Sequence, residues 1–128
     1  MLDYIRIACA VPAVRVGDTE QNTRDICDFM EKADAQDVDV VLFPEMALTG
    51  YTCGDLLFQD ALWNAVKEGV GQIAHVSGQH PNLTAVVGLP VRIGHKLYNC
   101  AAVIARGEVA GIVPKTHLTS AETRWFTS

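Results

Sequence analysis

No apolar run in this chain approaches the ~20 residues that a bilayer crossing requires. There is no basic surplus either. Ten Lys and Arg against fifteen Asp and Glu leave a formal charge of −5, which argues against a nucleic-acid surface. Cys9, Cys27, Cys53 and Cys100 are scattered, so neither a disulfide nor a zinc framework is expected. The four histidines show no metal-ligand spacing. Internal repeats and low-complexity segments are absent. The start, Met1-Leu2-Asp3-Tyr4-Ile5-Arg6, carries an early acid and lacks the layout of a secretory leader. A reducing cytoplasm is the expected setting. What is present is ordinary for a globular protein: 49% apolar and 20% charged residues over 128 positions, enough for one domain with a core.

The stretch from Val38 to Tyr51 organises the rest. Val40 to Phe43 is continuously apolar and reads as a strand buried on both faces. Pro44 cannot donate to a ladder and marks its end. Glu45 follows at once, so it stands at the carboxyl end of a buried strand, where open α/β sheets place their ligands. Taken by itself, a solvated loop glutamate is an equal reading.

Around this stretch the elements follow in order. Ile5 to Pro12 reads as a buried strand. Asp18 is placed to cap a helix over about Thr19 to Gln36, with Gln21 able to reach back. Ile26, Phe29, Met30 and Ala33 give that helix its apolar side. A second helix runs from about Gln59 to Val76, with Leu62, Val66, Val70, Ile73 and Ala74 inward. Ser77 to Asn82 reads as a loop. Strands are expected over Leu83 to Leu89, ended by Pro90, then over Leu97 to Ala105 and Val109 to Val113. Gly94-His95-Lys96 and Arg106-Gly107-Glu108 make tight connections suited to β-hairpins. Strand–helix–strand order implies a parallel first half, and the hairpins an antiparallel second. The fold class is therefore α/β with a mixed sheet. Gly69-Val70-Gly71-Gln72-Ile73-Ala74 spells a dinucleotide-binding pattern, but it lies inside a helix rather than between a strand and a helix start, so it is read as coincidence.

Leu42-Phe43-Pro44-Glu45 with Leu48-Thr49-Gly50-Tyr51 resembles the first signature of the nitrilase superfamily, the carbon–nitrogen hydrolases. Thr52-Cys53-Gly54-Asp55-Leu56-Leu57-Phe58 is more specific and resembles the glutaminase domains of glutamine-dependent NAD synthetases. A second match follows in Gly111-Ile112-Val113-Pro114-Lys115-Thr116-His117-Leu118, with Arg124-Trp125-Phe126 after it. The resemblance implies part of a four-layer α-β-β-α sandwich, with residues 1–128 as the N-terminal part of the hydrolase domain. It maps the family's glutamate onto Glu45 and its lysine onto Lys115. A carboxylate in a dry site can take a thiol's proton, and an ammonium beside it can steady the oxyanion. Those roles require the two charged ends to meet within about 4 Å.

The family's cysteine has no counterpart. Cys9 and Cys100 lie in strands, Cys27 lies on a helix, and Cys53 belongs to a motif that does not make it a nucleophile. The chain is thus expected to be truncated before that residue and inactive alone. Tyr51 is a candidate substrate contact, with a packed aromatic as the equal alternative. Relatives carry a longer loop between Leu118 and Arg124 that shapes the glutamine pocket. Glu122 lies in the shorter segment here and is not assigned to the site. The implied reaction is hydrolysis of glutamine with delivery of ammonia to a synthetase domain. No cofactor is implied for the glutaminase part, and ATP and Mg for the absent synthetase part. Homo-oligomerisation is expected, with no nucleic-acid or membrane partner. A stand-alone amidase or nitrilase, or a non-catalytic fragment, are the competing readings.

Overall fold

A computed structural model describes residues 4–128. Met1 to Asp3, part of the start read above as lacking a leader, lie outside the described residues. Among the described residues five strands form one mixed sheet: β1 (Ile7–Cys9), β2 (Val40–Leu42), β3 (Thr84–Ile93), β4 (Lys96–Ala105) and β5 (Glu108–Pro114), in that spatial order. β1, β2 and β3 run parallel, and β4 and β5 are antiparallel additions. Helices α1 (Thr19–Ala35) and α2 (Asp60–Gln79) supply the crossovers. The α/β class and mixed sheet agree with the sequence reading. Among the described residues no helix is long and apolar enough to cross a membrane.

One face of the sheet carries the core. Val41, Ala85, Val87, Ala102 and Ile104 are at most 1% exposed and pack against Ile26 and Met30 of α1 and Val66 and Ile73 of α2. Gly69 lets the helices approach, since a Cβ there would lie 2.5 Å from Thr23 Oγ1. The glycines of the spurious dinucleotide pattern thus lie within α2, and one of them is a helix-packing position.

The other face is open, and this corrects one expectation. β1 and β2 are not buried on both faces: Ile7 is 64% exposed and Leu42 43%. Continuous apolar character requires a layer on each side, and this chain lays helices on one side.

Three local expectations are also corrected. β3 runs through Pro90 to Ile93. Pro90 pairs with Asn99, whose carbonyl points to the opposite strand edge and accepts from Lys115 N at 2.7 Å. The Pro90 position therefore belongs to a pair that exchanges no bonds with β4, and its missing N–H costs nothing there. The helix α2 continues through Ser77 to Gln79 and stops ahead of Pro81, because the residue before a proline resists helical geometry. Ser77 is held in place from both sides, donating to Ala74 O at 2.6 Å and accepting from Gly107 N at 2.9 Å. Asp18 does cap α1 through Gln21 N at 3.1 Å, but the Gln21 side chain turns to Asp25 instead of reaching back.

Candidate active site

The ladder carries the chain one residue beyond β2, Phe43 N donating to Val86 O at 2.9 Å. Pro44 ends it. The chain then turns across the open face of the sheet directly above Gly88. A Cβ on Gly88 would lie 2.4 Å from Pro44 O and 2.5 Å from Met46 N. Only a glycine admits this crossing, and Leu48 N donating to Gly88 O at 3.1 Å pins it. Met46, next to Glu45, has φ +55°, a left-handed conformation that costs a non-glycine residue about 1–3 kcal/mol. Its side chain is fully buried with Leu57, Leu97 and Phe126, and that packing holds the turn.

Glu45 projects from this turn. Lys115 follows β5 directly, and its ammonium meets Glu45 Oε1 at 2.8 Å. The pair thus falls within the distance expected from the sequence, although seventy positions separate the two residues. Two further residues complete the cluster. Glu122, 2% exposed, receives Lys115 Nζ at 3.0 Å on both carboxylate oxygens. Asn99, 3% exposed, donates through Nδ2 to Glu45 Oε1 at 2.6 Å and to Glu122 Oε1 at 3.1 Å. A cleft of about 330 Å³ opens beside Glu45, Asn99 and Lys115, with Leu42, Val86, Ala101 and Val113 on its walls.

The electrostatics follow from these contacts. Glu122 is held down at about 2 by the Thr119 backbone N–H, which outweighs the opposing effect of burial, and then by Lys115 and Asn99. Lys115 is pushed well above the usual lysine range by its bonds to Glu45 and then Glu122. It is therefore a fixed cation, suited to stabilising negative charge and unable to act as a base. Glu45 is the carboxylate with an accessible side chain, 44% exposed. Its Oε2 has no partner among the described residues.

Sequence reasoning left out Glu122 and Asn99. For Glu122 a signal existed. Thr119-Ser120-Ala121-Glu122 has capping-box spacing, and the reciprocal bonds form: Thr119 N to Glu122 Oε2 at 2.8 Å and Glu122 N to Thr119 Oγ1 at 3.3 Å. For Asn99 the signal was hidden by register. β4 and β5 pair Ala105 with Glu108 across a two-residue turn, but Ala110 is an extra residue in β5. The resulting bulge brings Asn99 opposite Lys115, where an unbroken ladder would have brought Tyr98.

Other candidates stand apart. Tyr51 is 47% exposed on the turn after Gly50 and is not among the cleft's walls. Cys53 is buried, its thiol donating to Thr49 O and Gly50 O at 3.1 and 3.3 Å. Cys100 adjoins Asn99 at the cleft, and burial raises its thiol above the usual range, keeping it protonated. Trp125 donates to Asp55 Oδ1 at 3.2 Å and Phe126 is buried, tying the segment that carries Glu122 to the Gly54–Phe58 turn.

A mixed α/β sheet with helices on one face carries a Glu–Lys–Glu cluster at its strand ends. Residues 6–127 match the family model described as carbon–nitrogen hydrolase, and the chain belongs to that family. It is 34% identical over 115 residues to the glutamine-dependent NAD(+) synthetase of Mycobacterium tuberculosis, covering 90% of this chain and 17% of that relative. It superposes on a glutamine-dependent NAD(+) synthetase from Cytophaga hutchinsonii with a TM-score of 0.84 at 33% identity, covering 97% of this chain and 22% of that one. A nitrilase-superfamily amidase from Nesterenkonia shares the fold at TM-score 0.85, with 24% identity over 96% of this chain and 47% of the amidase. The chain spans about a fifth of the length of the synthetases it matches.

Proposed function

We propose that this chain carries the base and the oxyanion-stabilising cation of a glutamine-hydrolysing site, within a protein of the glutamine-dependent NAD synthetase kind. The observation that carries this reading is the convergence of Glu45 and Lys115 at 2.8 Å beside an open cleft. Glu45 Oε2 accepts the proton of a thiol, the thiolate attacks the amide carbonyl, and Lys115 balances the charge that develops on oxygen. Glu122 keeps Lys115 charged and aimed. Glu45 returns that proton to the amide nitrogen, which leaves as ammonia as the acyl thioester forms, and a water that gives its proton to Glu45 then cleaves the thioester to glutamate and the free thiol. None of the four cysteines is suited to the nucleophile's role, so the thiol comes from outside these 128 residues. Ammonia passes to a synthetase part that requires ATP and Mg. Specificity for glutamine over other amides is supported by the identity to the synthetases, which exceeds that to the amidase.

The test is ammonia release from glutamine, asparagine and short aliphatic amides by the full-length protein. Preference for glutamine is expected, and equal or better turnover of simple amides would favour a stand-alone amidase. The 128-residue chain alone is expected to release no ammonia. Turnover by it that Cys53→Ala abolishes would make Cys53 the nucleophile and overturn this assignment.

A further inference from the structure

We infer that Asn99 is a positioning residue for Glu45, fixing which of its two carboxylate oxygens takes the proton. The inference rests on the reading of Glu45 as the base. Asn99 sits in a closed ring of four groups. Its Nδ2 donates to Glu45 Oε1 and Glu122 Oε1, and Lys115 Nζ donates to the same two oxygens from the other side, at 2.8 and 3.0 Å. Donors and acceptors alternate around the ring. An amide has two N–H bonds, enough for both carboxylates. Its orientation is set by charge, because the reversed amide would aim Oδ1 at two anionic oxygens.

The consequence falls on Glu45. Lys115 alone would leave the carboxylate free to swing about a single contact. With the second donor at 2.6 Å, Oε1 is saturated and the group is held at two points. Oε2, with no partner among the described residues, is the oxygen left to receive a proton. Asn99 is itself fixed at its backbone, where its carbonyl accepts from Lys115 N at 2.7 Å. The bulge at Ala110 is what gives this pairing. One strand irregularity thereby aligns Asn99 with Lys115, and through them with both carboxylates. Asn99 touches no reacting atom in this account and acts through Glu45.

The experiment is steady-state ammonia release from glutamine by the full-length protein, comparing wild type, Asn99→Leu, Asn99→Ser and Glu45→Gln. Leu matches Asn in shape but has no donor, and Ser keeps a single hydroxyl. A loose catalytic group costs up to about 100-fold in rate. We expect Asn99→Leu to lower kcat by roughly 10- to 100-fold with KM within about 2-fold, because the lost contact serves the chemical step and not substrate binding. Asn99→Ser retains one donor and loses less, and it is read by the same split if the Leu variant does not fold. An unchanged kcat in the Ser and Leu variants, with Glu45→Gln inactive, would overturn the role of Asn99 and leave Glu45 as the base. A rise in KM that accounts for the whole loss would make Asn99 a substrate contact instead. Full turnover by Glu45→Gln would overturn the inference together with the reading beneath it.

Discussion

The two faces of the sheet do different work. Under the helices, Ala85, Val87, Ala102 and Ile104 are sealed. On the other side, Leu42 is 43% exposed, Val113 61%, and the four-residue polar ring lies among such groups. A parallel sheet ordinarily buries both faces. Here one face supplies the stability of the chain, and the other holds the ionic cluster and the cleft. The crossing at Gly88 joins the two, because it carries Glu45 from the end of a helix-covered strand onto the open side. Substitutions under the helices should therefore cost stability alone, whereas those in the cluster or at the crossing should cost turnover as well.

Lys115→Met should give the largest combined effect. It leaves buried Glu122 with only Thr119 and Asn99 as partners, and breaking a buried pair costs 3–5 kcal/mol. Because Lys115 is one-third exposed, about 3 kcal/mol is expected by denaturant titration, together with loss of ammonia release. Ile73→Ala tests the covered face. Its side chain is fully buried, so about 2–5 kcal/mol should be lost while turnover per folded molecule stays unchanged. If turnover fell in proportion, the separation of the faces would be wrong.

Gly88→Ala sharpens the comparison from the other direction. The added Cβ forces the Pro44–Met46 turn away from the sheet, with a stability cost of about 1–3 kcal/mol and a kcat loss larger than that of Ile73→Ala. A smaller effect belongs to acid. The Glu122 carboxyl is depressed to about 2 from an ordinary value of 4.5, so its contribution is complete above the ordinary value and is lost as pH falls toward 2. Unfolding monitored between pH 5 and 2 should show this loss in wild type and a flatter profile in Glu122→Gln. Val113→Thr, on the open face, should shift the stability of this chain by no more than about 0.5 kcal/mol.

How much could be read from the sequence depended on which residues act locally. The helix spacing of Ile26, Met30, Val66 and Ile73 identified the covered face correctly, since periodicity is a local property. Val40 to Phe43 showed that a buried strand precedes Glu45, but apolar runs do not say which layers cover them, and the open face was missed. Glu45 and Lys115 were legible through their motifs. Asn99 was not, because its place depends on the extra residue Ala110 and no local pattern announces a bulge. Glu122 was within reach through its spacing from Thr119, and the shortness of the Leu118 to Arg124 segment diverted attention from it.

The central claim is that Glu45 is the base of an amide hydrolysis assembled on the open face. Ammonia release from glutamine by the full-length Glu45→Gln protein tests it most directly, since Gln keeps the shape of the side chain and removes only its capacity to take a proton. General-base contributions are about 10²–10⁴-fold, so a fall in kcat of that size is predicted, with unfolding that remains cooperative. Turnover within a few-fold of wild type in a properly folded Glu45→Gln protein would contradict the account.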